Sequence, residues 1–81
     1  MTMVEIFAAN LRAVRVARGI SQSKLANSSG LSAKYIGRLE GGKQSPTLTT
    51  VASLADALSI EPSELIAAPI PLDRLVNLAS G

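Results

Sequence analysis

Two basic side chains, Lys34 and Arg38, stand four residues apart near the middle of the chain. Residues at this spacing share one face of a helix, where two like charges mildly destabilise the helix on its own. An ammonium and a guanidinium are also the groups that donate to guanine O6 and N7 in the major groove of DNA. We therefore expect Lys34 and Arg38 to read base edges, while the short side chain of Ala33 can reach only a thymine methyl.

The residues around this pair have the pattern of two short helices joined by a tight turn. Leu25 and Ala26 give the first helix an apolar face, and Ile36 and Leu39 give one to the second. Gly30 lies between them and can adopt a positive φ without a steric penalty, so it can end the first helix and let the second leave at a steep angle. The pattern predicts a helix-turn-helix, in which the second helix enters the major groove.

Three further donors lie close to these helices. Ser32 stands at the expected N-cap of the second helix, Tyr35 is within it and Lys43 follows it. Because most contacts to DNA are made with phosphates, we expect Ser32, Tyr35 and Lys43 to bind the backbone. For Tyr35 a purely structural role, with the ring packed on the preceding helix, stays open.

Charge is divided unevenly along the chain, although the net charge is only +2. Residues 1–43 hold seven basic and two acidic groups, a net charge of +5, and residues 44–81 hold one basic and four acidic groups, a net charge of −3. The basic half contains the helix-turn-helix, and its positive charge suits a side that faces DNA. The acidic half suits the side that faces away from DNA. This division favours DNA as the partner.

Catalytic residue types are scarce in this sequence. The chain has no histidine and no cysteine, so the commonest general base, the thiolate nucleophile and the usual transition-metal ligands are missing. We expect no enzyme activity, no metal and no small-molecule cofactor. No apolar run approaches the roughly 20 residues that span a bilayer, so we expect a cytoplasmic protein without a membrane partner, associated with the nucleoid through DNA.

Apolar periodicity predicts an all-α fold. A first helix is expected over residues 5–18, with Phe7, Leu11 and Val14 on one buried stripe. Thr47 is a suitable N-cap for a fourth helix, and Pro62 suits the first position of a fifth. These signals predict five short helices.

The C-terminal residues fit less clearly into this bundle. Pro69 and Pro71 forbid a continuous helix, and the apolar residues after them allow one short extra helix. We expect residues 1–68 to form the helix-turn-helix domain and residues 69–81 to form an extension that either dimerises or stays flexible.

The chain resembles the Xre family, the lambdoid repressor and Cro-like helix-turn-helix domains, over residues 7–66. The matching pieces are residues 11–15, 18–22, 25–26, 30–32, 35–36, 39–43, 46–48, 54–55, 57–58 and 62–65. Each piece is weak evidence, but their order and spacing together are specific. The resemblance implies a five-helix, lambda-repressor-like bundle that binds DNA.

The resemblance also implies roles for Gln22, Arg15 and Glu40. Gln22, in the first turn of the preceding helix, is expected to clamp a phosphate, where the amides of a helix N-terminus also favour one. Arg15 is expected to form a structural ion pair with Glu40, since a half-buried guanidinium needs a carboxylate partner.

These observations predict a transcription regulator that binds double-stranded DNA. A single small domain makes few base contacts, so we expect a homodimer on a palindromic operator. The surplus of apolar residues after Leu58 places the expected dimer surface there, at Ile60, Leu65, Ile66 and Ile70. A phage repressor, a restriction-modification controller and the DNA-binding antitoxin of a toxin-antitoxin pair all fit. A protein-interaction adaptor that has lost DNA binding is the alternative from another class.

Overall fold

The computed structural model describes residues 1–80, and all of its regular structure is helical. The six helices are α1 (Met3–Ala17), α2 (Gln22–Ser29), α3 (Ala33–Glu40), α4 (Leu48–Leu58), α5 (Pro62–Ile66) and α6 (Leu72–Ser80). The predicted all-α bundle is confirmed, and the extra C-terminal helix is present as α6. Within residues 1–80, none of these helices has the length and apolar character needed to cross a membrane.

Local sequence signals define where most of the helices begin. The side chains of Ser21, Ser32 and Thr47 each accept a hydrogen bond from the backbone amide three residues later, at the starts of α2, α3 and α4. Pro62 occupies the first turn of α5, as its fixed φ favours. Gly30 ends α2 with φ +75°, the left-handed conformation that the tight turn between α2 and α3 requires.

The core is a single apolar cluster to which every helix contributes. Phe7, Leu11 and Val14 form the predicted stripe of α1 and are almost completely buried. This helix lies at the centre of the molecule, because it contacts α3, α5 and α6, while α2 packs against α3 and α4. The helix-turn-helix is therefore supported from behind by α1 and α4.

Helix α6 is held against α1 by apolar and polar contacts. Leu78 is buried in the core cluster. Arg18 donates from Nε to the Leu58 carbonyl at 3.1 Å and from Nη1 to the Leu78 carbonyl at 3.2 Å. These contacts make residues 72–80 a packed helix of the domain rather than a flexible tail.

The segment between α5 and α6 is fixed by one buried amide. Asn10 Nδ2 donates to the carbonyls of Leu65 and Ala68 at 3.2 and 2.8 Å, and Asn10 Oδ1 accepts from the Ile70 amide at 3.0 Å. Because all of these partners are backbone groups, Asn10 substitutes for the helical hydrogen bonds that Pro69 and Pro71 prevent.

The structure corrects the expected dimer surface at two positions. Ile60 and Leu65 are only 9% and 0% exposed and belong to the core of the single chain. A side chain that is already buried within one chain has no surface left for a second chain, so neither residue belongs to a dimer surface. Ile66 and Ile70 are partly buried and retain accessible surface.

Candidate nucleic-acid interface

Helix α3 presents a narrow polar face, because its apolar residues anchor the opposite side. Ile36 and Leu39 are fully buried, whereas Lys34 and Arg38 are exposed on the same outer face. Ala33 and Tyr35, also expected to face outward, are half-buried and pack against the core. The exposed face is therefore dominated by the two basic side chains, with Ala33 and the Tyr35 ring at its edge.

Ser32 begins α3 and is exposed beside this face. Its Oγ accepts a hydrogen bond from the Tyr35 amide at 3.1 Å, which is the expected capping contact. A hydroxyl that accepts one hydrogen bond still carries a proton that it can donate. Ser32 can therefore cap the helix and bind a phosphate oxygen at once.

A network of three side chains joins α1, α2 and α3 next to the polar face. Glu40 accepts two hydrogen bonds from Arg15: one from Nε to Oε2 at 2.6 Å and one from Nη2 to Oε1 at 3.0 Å. The side chains of Arg15 and Glu40 are 13% and 4% exposed. The hydrogen bond to Glu40 raises the pKa of Arg15 above its ordinary value. Arg15 Nη1 also donates to the Ile20 carbonyl at 2.9 Å, in the loop before α2.

Gln22 is the third member of this network. Its Nε2 donates to Glu40 Oε1 at 3.1 Å. Because an ionised carboxylate only accepts hydrogen bonds, this contact fixes which end of the Gln22 amide faces Glu40. Gln22 is thereby held at the N-terminus of α2, where unpaired backbone amides and the helix dipole attract an anion. This position suits the phosphate contact that is expected for Gln22.

The loop after α3 adds a basic residue and a contact that the sequence did not indicate. Lys43 is exposed, and its amide donates to the Arg38 carbonyl at 3.0 Å. Arg38 Nε donates to Gln44 Oε1, also at 3.0 Å. Gln44 is not marked in the sequence, since a polar loop residue has no periodicity or capping pattern.

An apolar groove lies beside the end of this loop. It has a volume of about 210 Å³ and is lined by Met3, Val4, Phe7, Ser45, Pro46, Leu48, Val51 and Ile66. We call it the α1–α4 groove. Leu48 and Met3 are 83% and 64% exposed there, a large apolar exposure for so small a protein. Of the residues expected in a dimer surface, Ile66 is the one that lines this groove.

Clusters of side chains that could hold a metal ion are not found in residues 1–80. No three acidic, histidine or cysteine side chains of that range lie close enough to hold a metal ion. Its two ion pairs, Arg15–Glu40 and Arg74–Glu64, each join a carboxylate to a guanidinium. The basic face of α3 and its flanks are therefore the most distinctive polar surface of this part of the chain.

Comparison with known proteins agrees with this geometry. The helix-turn-helix family model HTH_3 matches residues 11–65. Control protein C.SmaI from Serratia marcescens is 39% identical over 66 residues, which are 82% of this chain and 79% of that protein. The crystal structure of the restriction-modification controller protein C.AhdI from Aeromonas hydrophila superimposes with a TM-score of 0.76 at 43% identity, covering 78% of this chain and 96% of that one.

A third similar protein extends the match over more of the chain. The crystal structure of the hypothetical transcription factor NHTF from Neisseria has a TM-score of 0.80 at 30% identity and covers 91% of this chain and 83% of that one. The matched family region runs from α1 through α5 and includes the whole helix-turn-helix. The chain therefore belongs to the HTH_3 family, the Xre-like helix-turn-helix proteins that act as DNA-binding transcription regulators.

Proposed function

We propose that the protein is a sequence-specific transcription regulator that inserts α3 into the major groove of double-stranded DNA. The observation that carries this proposal is the exposed pair Lys34 and Arg38 on a helix whose other face is buried. In this role Lys34 and Arg38 read base edges, and Ala33 contacts a thymine methyl at the edge of the same face.

Phosphate contacts on both sides of α3 complete the proposed interface. Gln22 and Ser32 are at helix N-termini, and Tyr35 and Lys43 offer a hydroxyl and an ammonium. Such contacts position a protein on the duplex without reading sequence. Loss of Lys43 should therefore weaken binding to all duplexes alike, whereas loss of Arg38 should weaken binding to the preferred sequence most.

The experiment is selection of preferred duplexes from a random pool, followed by competition between the selected and a scrambled duplex. We expect one enriched sequence, and we expect Arg38→Ala to lose about 1–3 kcal/mol on it with relaxed preference at one base pair per half-site. Enrichment of no sequence would refute the proposal. Equal losses on both duplexes would reassign Arg38 to a phosphate contact.

We further propose that the protein dimerises through the α1–α4 groove and that the dimer binds a palindromic operator. The groove is lined by Ser45, Pro46 and Leu48, which follow Lys43 and Gln44 directly in the chain. The groove therefore begins close in sequence to the end of α3. In such a dimer we expect the two copies of α3 to lie about 34–36 Å apart, one turn of DNA.

Leu48→Lys tests this dimer, with Leu72→Lys as the matched control. Leu48 and Leu72 are 83% and 76% exposed, and each is the first residue of its helix. Sedimentation should show that Leu48→Lys is a folded monomer and that Leu72→Lys still dimerises. A dimer that survives Leu48→Lys, or a monomeric parent that still protects both half-sites, would contradict the proposed surface.

Among biological settings, the likeness to two controller proteins favours control of a restriction-modification system. Sequencing the genomic fragments that the protein binds tests this. A site upstream of a restriction endonuclease gene is expected. A site upstream of a toxin gene, together with co-purification of that toxin, would instead support an antitoxin, and a folded protein that binds no duplex would support an adaptor.

A further inference from the structure

Gln44 is held beside Arg38 by the way the chain leaves α3. The amide of Gly42 donates to the Leu39 carbonyl at 3.2 Å, and the amide of Lys43 donates to the Arg38 carbonyl at 3.0 Å. Gly42 adopts φ +68°, which turns the loop back over the last turn of the helix. Gln44 follows directly, and its Oε1 accepts a hydrogen bond from Arg38 Nε at 3.0 Å.

This contact involves one particular edge of the guanidinium. An arginine can pair with guanine O6 and N7 through Nε and one terminal nitrogen or through its two terminal nitrogens, Nη1 and Nη2. With Nε bonded to Gln44, the Nη1–Nη2 edge is the one left to pair with a base. The loop residue therefore selects the approach of Arg38 to DNA.

We propose that Gln44 is a positioning residue that fixes the guanidinium of Arg38 for end-on recognition of a guanine and so contributes to sequence specificity. The inference rests on the proposed function, since it concerns how α3 reads bases. Gln44 acts through Arg38 and needs no DNA contact of its own.

The physical reason is preorganisation of a flexible side chain. A free arginine side chain loses considerable rotamer freedom when it is ordered on DNA, and a side chain that is already oriented loses less. In the free protein both residues are exposed, and the bond competes with water, so it adds little to the stability of the fold. In a groove that excludes water the same charge-assisted bond becomes stronger.

The test compares two substitutions of similar size, Gln44→Met and Gln44→Glu. Methionine lacks a good acceptor, whereas glutamate keeps one and adds a negative charge. Gln44→Met should lower affinity for the selected duplex about fivefold, as expected for loss of one hydrogen bond, and leave affinity for scrambled duplex unchanged. Gln44→Glu should weaken both duplexes through repulsion of phosphates and preserve the ratio between them.

A double-mutant cycle with Arg38→Ala identifies the residue through which Gln44 acts. In the Arg38→Ala background, Gln44→Met should have no further effect on the selected duplex, and both variants should relax preference at the same base pair. Additive losses, relaxed preference at a different base pair, or parental specificity in Gln44→Met would each overturn the inference. If Arg38→Ala loses specificity and Gln44→Met does not, the proposed function stands and this inference alone fails. If the parent itself selects no sequence, both fail.

Discussion

Arg15 and Glu40 are joined by two parallel hydrogen bonds, with Nε 2.6 Å from Oε2 and Nη2 3.0 Å from Oε1. Arg15 lies on α1 and Glu40 is the last residue of α3, so the pair connects the central helix to the end of the proposed recognition helix. Glu40 also accepts from Gln22, which brings the N-terminus of α2 into the same network. One carboxylate thus helps to set the relative position of both helices that would touch DNA.

Arg15→Ala should destabilise the fold more than it weakens DNA binding by the folded protein. Removal of one partner strands the Glu40 carboxylate, which is 4% exposed, and breaking such a buried pair costs about 3 kcal/mol. Arg12→Ala is the matched control, because Arg12 lies on the same helix and is exposed; a change within about 0.5 kcal/mol is expected. Chemical denaturation measures both. An Arg15→Ala variant as stable as the parent that fails to bind DNA would show a direct contact instead.

Gly30→Ala should lower the free energy of unfolding by about 1 kcal/mol, because Gly30 has φ +75° and an alanine is strained there. A Cβ at this position would meet no atom within 4 Å, so the effect would be purely conformational. Gly37→Ala is the contrasting variant. Gly37 lies inside α3, and its Cβ would meet the Gln22 amide at the ordinary distance of 3.7 Å, so a gain of up to about 1 kcal/mol is expected. Equal effects of the two substitutions would contradict this account of the turn.

Asn10→Ala should loosen α6 before the rest of the fold. Loss of the amide leaves the carbonyls of Leu65 and Ala68 and the Ile70 amide without that partner, at a cost of about 1–3 kcal/mol. Hydrogen exchange should accelerate in α6 more than in α3. Asn77→Ala, an exposed position on α6, serves as the control and should leave exchange unchanged. Uniform acceleration across all helices would mean that Asn10 stabilises the whole domain rather than its last segment.

Glu64 should make the attachment of α6 sensitive to acid. Hydrogen bonds from Arg74 hold the pKa of Glu64 below its ordinary value of 4.5. Because the pKa of Glu64 is lower in the folded state, the stability that the Arg74–Glu64 ion pair contributes is fully present above about pH 4.5. It is lost as the pH falls through the lowered pKa. The Tm difference between the parent and Glu64→Gln should therefore shrink below pH 4.5. Because both side chains are partly exposed, the difference should be small, and its persistence at low pH would contradict the ion-pair explanation.

The helices were predictable from local patterns. Ser32 and Thr47 are standard N-caps, Gly30 is the residue that tolerates positive φ, and the spacing of Phe7 and Leu11 marks a buried stripe. Each of these patterns involves only a few neighbouring residues, so each can be recognised in a single sequence.

Long-range packing was less predictable. Ile60 and Leu65 are expected on a dimer surface from their sequence, yet both are buried in the core of one chain, where α5 packs against α1 and α4. Asn10 gave no signal, since its partners lie more than 50 residues away in sequence. Gln44 was missed for a similar reason: its contact with Arg38 depends on the path of an irregular loop.

NMR of the labelled protein titrated with the selected duplex shows whether the exposed face of α3 is the surface that binds DNA. We expect the largest amide and side-chain shifts at Gln22, Lys34, Arg38 and Lys43, on the face that the basic half of the chain presents. Shifts concentrated in α5 and α6, with α3 unchanged at saturation, would contradict this expectation.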